Sequence, residues 1–149
     1  MRTTFTTPER QSEIREELAP RLRWTITRLA RRLRQEAGTD LGPSQVAALA
    51  TIERHGPLSP SELADAERIK RPTATRILRH LEEAGLVARV RDPEDGRGSI
   101  VSVTAAGRTH LKRLRARKTA YLATRLDRLD AEDRRILERA AELLEGMLE

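Results

Sequence analysis

The run from Ser59 to Thr104, SPSELADAERIKRPTATRILRHLEEAGLVARVRDPEDGRGSIVSVT, limits what this chain can fold into more than any other stretch. Ser59 stands as an N-cap, Pro60 takes the first helical position, and Glu62 is placed to close a capping box. Leu58 and Leu63 occupy the positions of a hydrophobic staple. A second helix carries Ala74, Ile77, Leu78 and Leu81 on one face at helical spacing. Its other face holds Thr73, Thr75, Arg76, Arg79 and His80. Gly85 ends it where a left-handed residue is needed. Leu86–Arg91 and Ser99–Val103 are then rich in β-branched residues, and the intervening DPEDGRG has the proline and glycines of a hairpin loop.

Two helices followed by a hairpin are the layout of a winged helix-turn-helix, whose second helix enters the major groove of DNA. An arginine near the hairpin tip, here Arg97, then reaches the adjacent minor groove. The plain alternative is a small α+β domain with a solvated helix face. The residue types argue against it, because arginine and threonine bond phosphates and base edges, whereas a face kept for solubility mixes in lysine and glutamate. Glu82 and Glu83 come only at the far end of the helix.

The segment GPLSPSELADAERIKRPTATRILRHLEEAGLVARVRDPEDGRGSIVSVTAAGR resembles the multiple-antibiotic-resistance regulator (MarR) family of bacterial transcription factors. The resemblance is carried by the SELA helix, the TRILRHLEEAGLV recognition helix, the RDPEDGR wing and the VTAAGR that leads into the next helix. It implies a homodimer on a pseudo-palindromic operator, acting as a repressor and released by a small aromatic or lipophilic ligand. By position it makes Arg71, Pro72, Thr73, Thr75 and Arg76 groove-facing and Arg97 the wing arginine. Ser59, Ser61, Arg79 and His80 complete the set of candidate DNA contacts. Two departures stand out: Gly96 precedes Arg97 where a second basic or polar residue is common, and Lys70 replaces a serine or threonine cap.

Charge supports a polyanionic partner. The 149 residues include 29 basic and 23 acidic side chains, a net charge of +6. No acidic residue occurs from Gly96 through Leu126, where Arg97, Arg108, Lys112, Arg113, Arg115, Arg117, Lys118 and Arg125 fall. Arg97 and Arg108 are the phosphate-contact candidates of that run, and the others are expected at the surface or between subunits. With only Phe5, Trp24 and Tyr121 as aromatics, the chain lacks the stacking platforms of single-strand or RNA binders. The absence of cysteine excludes thiol redox sensing and thiolate zinc sites. No apolar run reaches membrane-span length and the first ten residues lack a signal-peptide core, so a cytoplasmic location is expected.

The overall expectation is a mainly α fold with a small β-hairpin wing, a winged helix-turn-helix flanked by long dimerisation helices. Residues 1–40 are read as an N-terminal arm and dimerisation helix, 41–104 as the DNA-binding region and 105–149 as C-terminal dimerisation helices. Met1 to about Pro8 is polar and threonine-rich, an expected loose arm. In the first helix Ile14, Leu18, Leu22, Ile26, Leu29 and Leu33 form a stripe, with an interruption or bend expected near Pro20. A shorter helix follows with Val46, Leu49, Ala50 and Ile52 inward. Thr104 caps a helix bearing Leu111, Leu114, Tyr121, Leu122, Leu126 and Leu129, and Asp130 with Asp133 starts a last one bearing Ile136, Leu137, Ala140, Leu143, Leu144 and Met147. The outer helices are too long and too narrowly amphipathic to be covered within so small a chain, so a homodimer through residues 9–36 and 105–149 is expected.

Enzymatic chemistry is not expected. His55, His80 and His110 are not at metal-ligand spacing, no glycine loop suits a phosphate, and no serine is flanked as a nucleophile. No metal or cofactor is expected. For an effector, the MarR resemblance implies a cleft between the dimer helices and the winged region, and Trp24, His55 and Tyr121 lie in the helices that would border it. The competing function is a sequence-indifferent architectural DNA binder using the same charges; a third is a protein-interaction module without DNA binding.

Overall fold

The computed structural model describes residues 8–148, with side-chain burial from Ser12 onward; the expected N-terminal arm lies outside the described residues. The order is α1 (Pro8–Ala37), α2 (Pro43–His55), α3 (Pro60–Ala66), α4 (Arg71–Glu83), β1 (Val87–Arg91), β2 (Ser99–Val103), α5 (Ala105–Leu126) and α6 (Ala131–Glu145). The fold is mainly helical with one antiparallel hairpin, in which Val87 faces Val103 and Arg91 faces Ser99.

The caps form as the sequence predicts. Ser59 Oγ accepts the Glu62 N–H at 3.2 Å while the Ser59 N–H donates to Glu62 Oε2 at 2.7 Å, a closed capping box. Those bonds, the backbone one first, hold the Glu62 carboxyl below its ordinary range. Thr104 Oγ1 accepts the Gly107 N–H and donates to the Gly85 carbonyl, tying the start of α5 to the end of α4. Asp130 caps α6 by accepting the Asp133 N–H at 2.8 Å.

Helices α3 and α4 end in the same way. In each, the sixth residue's N–H reaches back to the first carbonyl of the terminal turn: Ile69 to Ala64, and Leu86 to Leu81. The motif needs one left-handed residue. Gly85 supplies it at φ +71°, but the α3 end uses Arg68 at φ +53°, a conformation that an L side chain adopts at a cost. The closure draws Leu86 out of the expected strand, so β1 begins at Val87.

One core unites α2, α3, α4, the hairpin and the first turns of α5. Leu49, Ile52, Leu63, Leu78, Leu81 and Val101 are fully buried in it, with Leu111 alongside. The base of the hairpin is fastened by paired bonds between Leu58 and Val101, 3.0 and 2.7 Å. Gly107 packs so closely there that a Cβ would lie 2.2 Å from the Leu86 carbonyl oxygen.

The outer helices behave differently. Helix α1 runs through Pro20 without interruption, so of the interruption or bend expected there the interruption is not found; proline removes one internal bond, and the remaining turns sustain the helix. It packs on α5 near its C-terminal end, where Arg117 of α5 donates to the Ala37 and Gly38 carbonyls at 3.0 and 3.2 Å. Leu22 and Leu33 are half-buried, but Ile14, Leu18, Ile26 and Leu29 are exposed. No residue of α6 is buried. Helix α5 stops at Leu126, so Leu129 falls in the connection to α6 rather than on the helix.

Candidate nucleic-acid interface

Helix α4 is fixed by its underside. Ala74, Leu78 and Leu81 have no solvent exposure and Ile77 is almost covered, so the helix has only one rotational setting available. That setting turns Arg71, Pro72, Thr75, Arg76, Arg79 and His80 to solvent and leaves Thr73 half-buried at the edge. Lys70 is the N-cap residue and makes no side-chain capping bond, as its chemistry predicts; Pro72 has no N–H to satisfy, and the Thr73 and Ala74 N–H groups donate to the Lys70 carbonyl at 2.9 and 3.1 Å. The Thr75 hydroxyl donates to the Arg71 carbonyl at 3.1 Å, which leaves its oxygen lone pairs free to accept. Arg79 approaches Glu83 at 3.9 Å, a loose and exposed pair. Among the described residues, Arg71, Arg76 and Arg97 make no ion pair.

The other candidates fall at either side of this helix. Ser59 and Ser61 are half-buried at the N-terminus of α3, where Ser59 is spent on capping. The N-terminus of α2 lies against the other flank of α4, and Gly42, Ser44, Gln45, Thr73, Arg76 and His80 line a shallow groove between them. Sequence reasoning missed this α2 edge, because only the packing of α2 against α4 brings it near. On the wing, Asp92 Oδ1 accepts the Glu94 N–H and Asp95 Oδ1 accepts the Arg97 N–H, at 2.9 and 3.1 Å. These short turns shape the tip and hold Arg97 outward.

A second concavity of about 650 Å³ opens between the end of α1, the start of α2 and α5. Leu33, Leu41, Val46 and Leu114 form its apolar floor, Arg31, Arg34 and Lys118 contribute its charge, and among the described residues no carboxylate lines it. Trp24, His55 and Tyr121 are not in the lining. Trp24 is exposed beside Arg28, His55 is exposed at the end of α2, and Tyr121 is half-buried with the Arg125 guanidinium 3.3 Å from its ring centre. Near the cleft, His110 bonds Thr39 Oγ1 through Nε2 at 3.1 Å and Arg113 through Nδ1 at 3.2 Å. Burial and then the Arg113 charge hold its pKa below the ordinary histidine value.

A basic helix presented on a rigid underside, with a hairpin beside it, defines a winged helix-turn-helix DNA-binding protein. Residues 41–99 match the MarR family. The chain is 35% identical over 133 residues to an HTH-type transcriptional regulator of Mycobacterium bovis, covering 89% of this chain and 93% of that protein. A transcriptional regulator from Pseudomonas aeruginosa superposes with a TM-score of 0.81 at 36% identity, over 91% of this chain and 96% of the other. A MarR-family protein from Bacillus stearothermophilus superposes with a TM-score of 0.77 at 25% identity, over 92% and 96%. This chain belongs to the MarR family of transcriptional regulators: it is a DNA-binding protein and not an enzyme.

Proposed function

We propose that the protein is a sequence-specific repressor that binds an inverted-repeat operator as a homodimer and lets go when a small anionic aromatic or lipophilic ligand binds. The observation that carries the reading is the setting of α4, with Arg71, Thr75 and Arg76 exposed above a fully buried apolar face. Arg76 reads base edges, Arg71 and Thr75 contact the groove, and Arg97 of the wing enters the minor groove. Ser61, Pro72, Thr73, Arg79 and His80 line the contact, and the α3 cap at Ser59 sets its edge. A MepR variant of Staphylococcus aureus has been solved bound to an oligodeoxyribonucleotide, and this chain shares its fold, with a TM-score of 0.69 at 19% identity over 89% of this chain and 98% of that one.

Homodimerisation is supported by the exposed apolar residues of α1 and α6, within the segments 1–40 and 105–149; residues 41–104 are the DNA-binding part. Two recognition helices related by a two-fold axis sit about 34–36 Å apart, one turn of DNA, which requires a palindromic site. The effector reading rests on the cleft between α1, α2 and α5, whose arginines and lysine suit a carboxylate over an apolar floor. Tyr121 is one helical turn beyond Lys118, and Trp24, on the exposed side of α1, is a fluorescent reporter for the same region.

Selection of bound sites from random duplexes tests the reading. The expected result is an inverted repeat, bound more tightly than scrambled DNA at physiological salt. Arg76→Ala should then cost about 1–3 kcal/mol and relax the preference at one position per half-site. Equal affinity for selected and scrambled duplexes would establish the architectural alternative instead.

A further inference from the structure

We propose that Arg89 is a positioning residue for DNA binding: its guanidinium, shared between Glu82 on α4 and Ser99 on β2, fixes the angle of the wing against the recognition helix. The proposal rests on the reading that α4 and Arg97 both touch DNA. Arg89 Nε donates to Glu82 Oε1 at 3.0 Å and one terminal nitrogen to Glu82 Oε2 at 3.1 Å, a two-pronged pair. The other terminal nitrogen donates to Ser99 Oγ at 3.0 Å. One planar group thus joins the recognition helix to both strands of the wing.

The location matters more than the count of bonds. The hairpin has only five residue pairs, and its last backbone tether to the body is the Leu58–Val101 pair. Arg89 is paired with Val101, and from there to the tip no backbone bond reaches the body among the described residues. A free two-stranded hairpin is marginal in water, so that outer half needs another restraint. Ser99 lies two residues beyond Val101 toward Arg97, and the Arg89 fork holds it there. The Arg89 and Glu82 side chains are 34% and 29% exposed, against 67% and 66% for the neighbouring Arg79–Glu83 pair, so the fork is the better shielded. Glu82 also sits in the last turn of α4, where a carboxylate opposes the helix dipole. Its pairing with Arg89 gives a reason for an acid at that place.

The test uses the duplex that the full chain selects from random sequence. Operator affinity is measured for wild type, Glu82→Gln, Arg89→Gln, Arg97→Ala and the double variant Arg89→Gln/Arg97→Ala, and each free protein is melted. The expected result is that Glu82→Gln and Arg89→Gln each weaken binding about tenfold, while Arg89→Gln adds little once Arg97 is alanine. Electrostatics alone predict the reverse for Glu82→Gln, since removing a negative charge near DNA tightens binding. A folded Glu82→Gln protein that binds as tightly as wild type, or tighter, therefore overturns the proposal. So does a full additive loss in the double variant, which would make Arg89 an independent phosphate contact. If Arg97→Ala itself leaves affinity unchanged, the wing reading fails and this proposal with it. Should Arg89→Gln not fold, Glu82→Asp, which keeps the charge and shortens the reach, is expected to show the same weakening.

Discussion

The winged body and the outer helices carry apolar stripes of similar quality and satisfy them differently. In α4 the stripe of Ala74, Ile77, Leu78 and Leu81 is closed by α2, α3 and the hairpin of the same chain. In α6 the stripe has no such cover: Ile136 is 59% and Leu143 53% exposed. Most of α1 before its last turns shares that condition, with Ile14, Leu18 and Ile26 exposed. An amphipathic pattern therefore says that a face will be buried, not whether this chain or another will bury it. The winged body covers its own stripe, whereas α6 and most of α1 leave theirs open to solvent.

Substitutions in the two regions should differ accordingly. The largest effect is expected at Gly107, where a Cβ would strike the Leu86 carbonyl. Gly107→Ala should lose about 3 kcal/mol or more in urea unfolding, because backbone has to move. Leu78→Ala should cost about 2–5 kcal/mol by opening a cavity in the closed core, and should do so at every protein concentration. Leu143→Asp should behave oppositely: little change in the fold of one chain, but a shift of the self-association equilibrium seen by sedimentation. Ser59→Ala should cost about 1 kcal/mol through the lost cap at α3.

The smallest effect concerns pH. His110 has a folded-state pKa lowered from 6.5, so the fold prefers its neutral form. Its contribution is complete above the unfolded value and is lost as pH falls through the folded one. Stability should decline as pH drops below about 6.5, and His110→Gln should flatten that part of the profile. An unchanged profile would show that the Thr39–His110–Arg113 contacts do not discriminate between the two protonation states.

The local signals were the legible ones. Ser59 with Glu62, Thr104, Asp130 and Gly85 act within a few residues of themselves, and each sits where its chemistry predicts. The stop of α3 was not legible, because Arg68 holds the left-handed position that a glycine would have announced. Pro20 does not interrupt α1 for a complementary reason, since a long helix can lose one bond and continue. The cleft and the Arg89 fork were hidden because both depend on residues distant in sequence. Arg31, Val46 and Lys118 meet only once α1, α2 and α5 have packed, and Arg89 finds Glu82 only when the hairpin folds back.

The contrast between a closed body and open outer helices is tested most directly by sedimentation equilibrium of the full chain, alone and with its selected duplex. The account predicts a species of twice the chain mass at micromolar concentration and two chains on each duplex. A stable monomer that binds the duplex one to one, with α1 and α6 still helical, would contradict it.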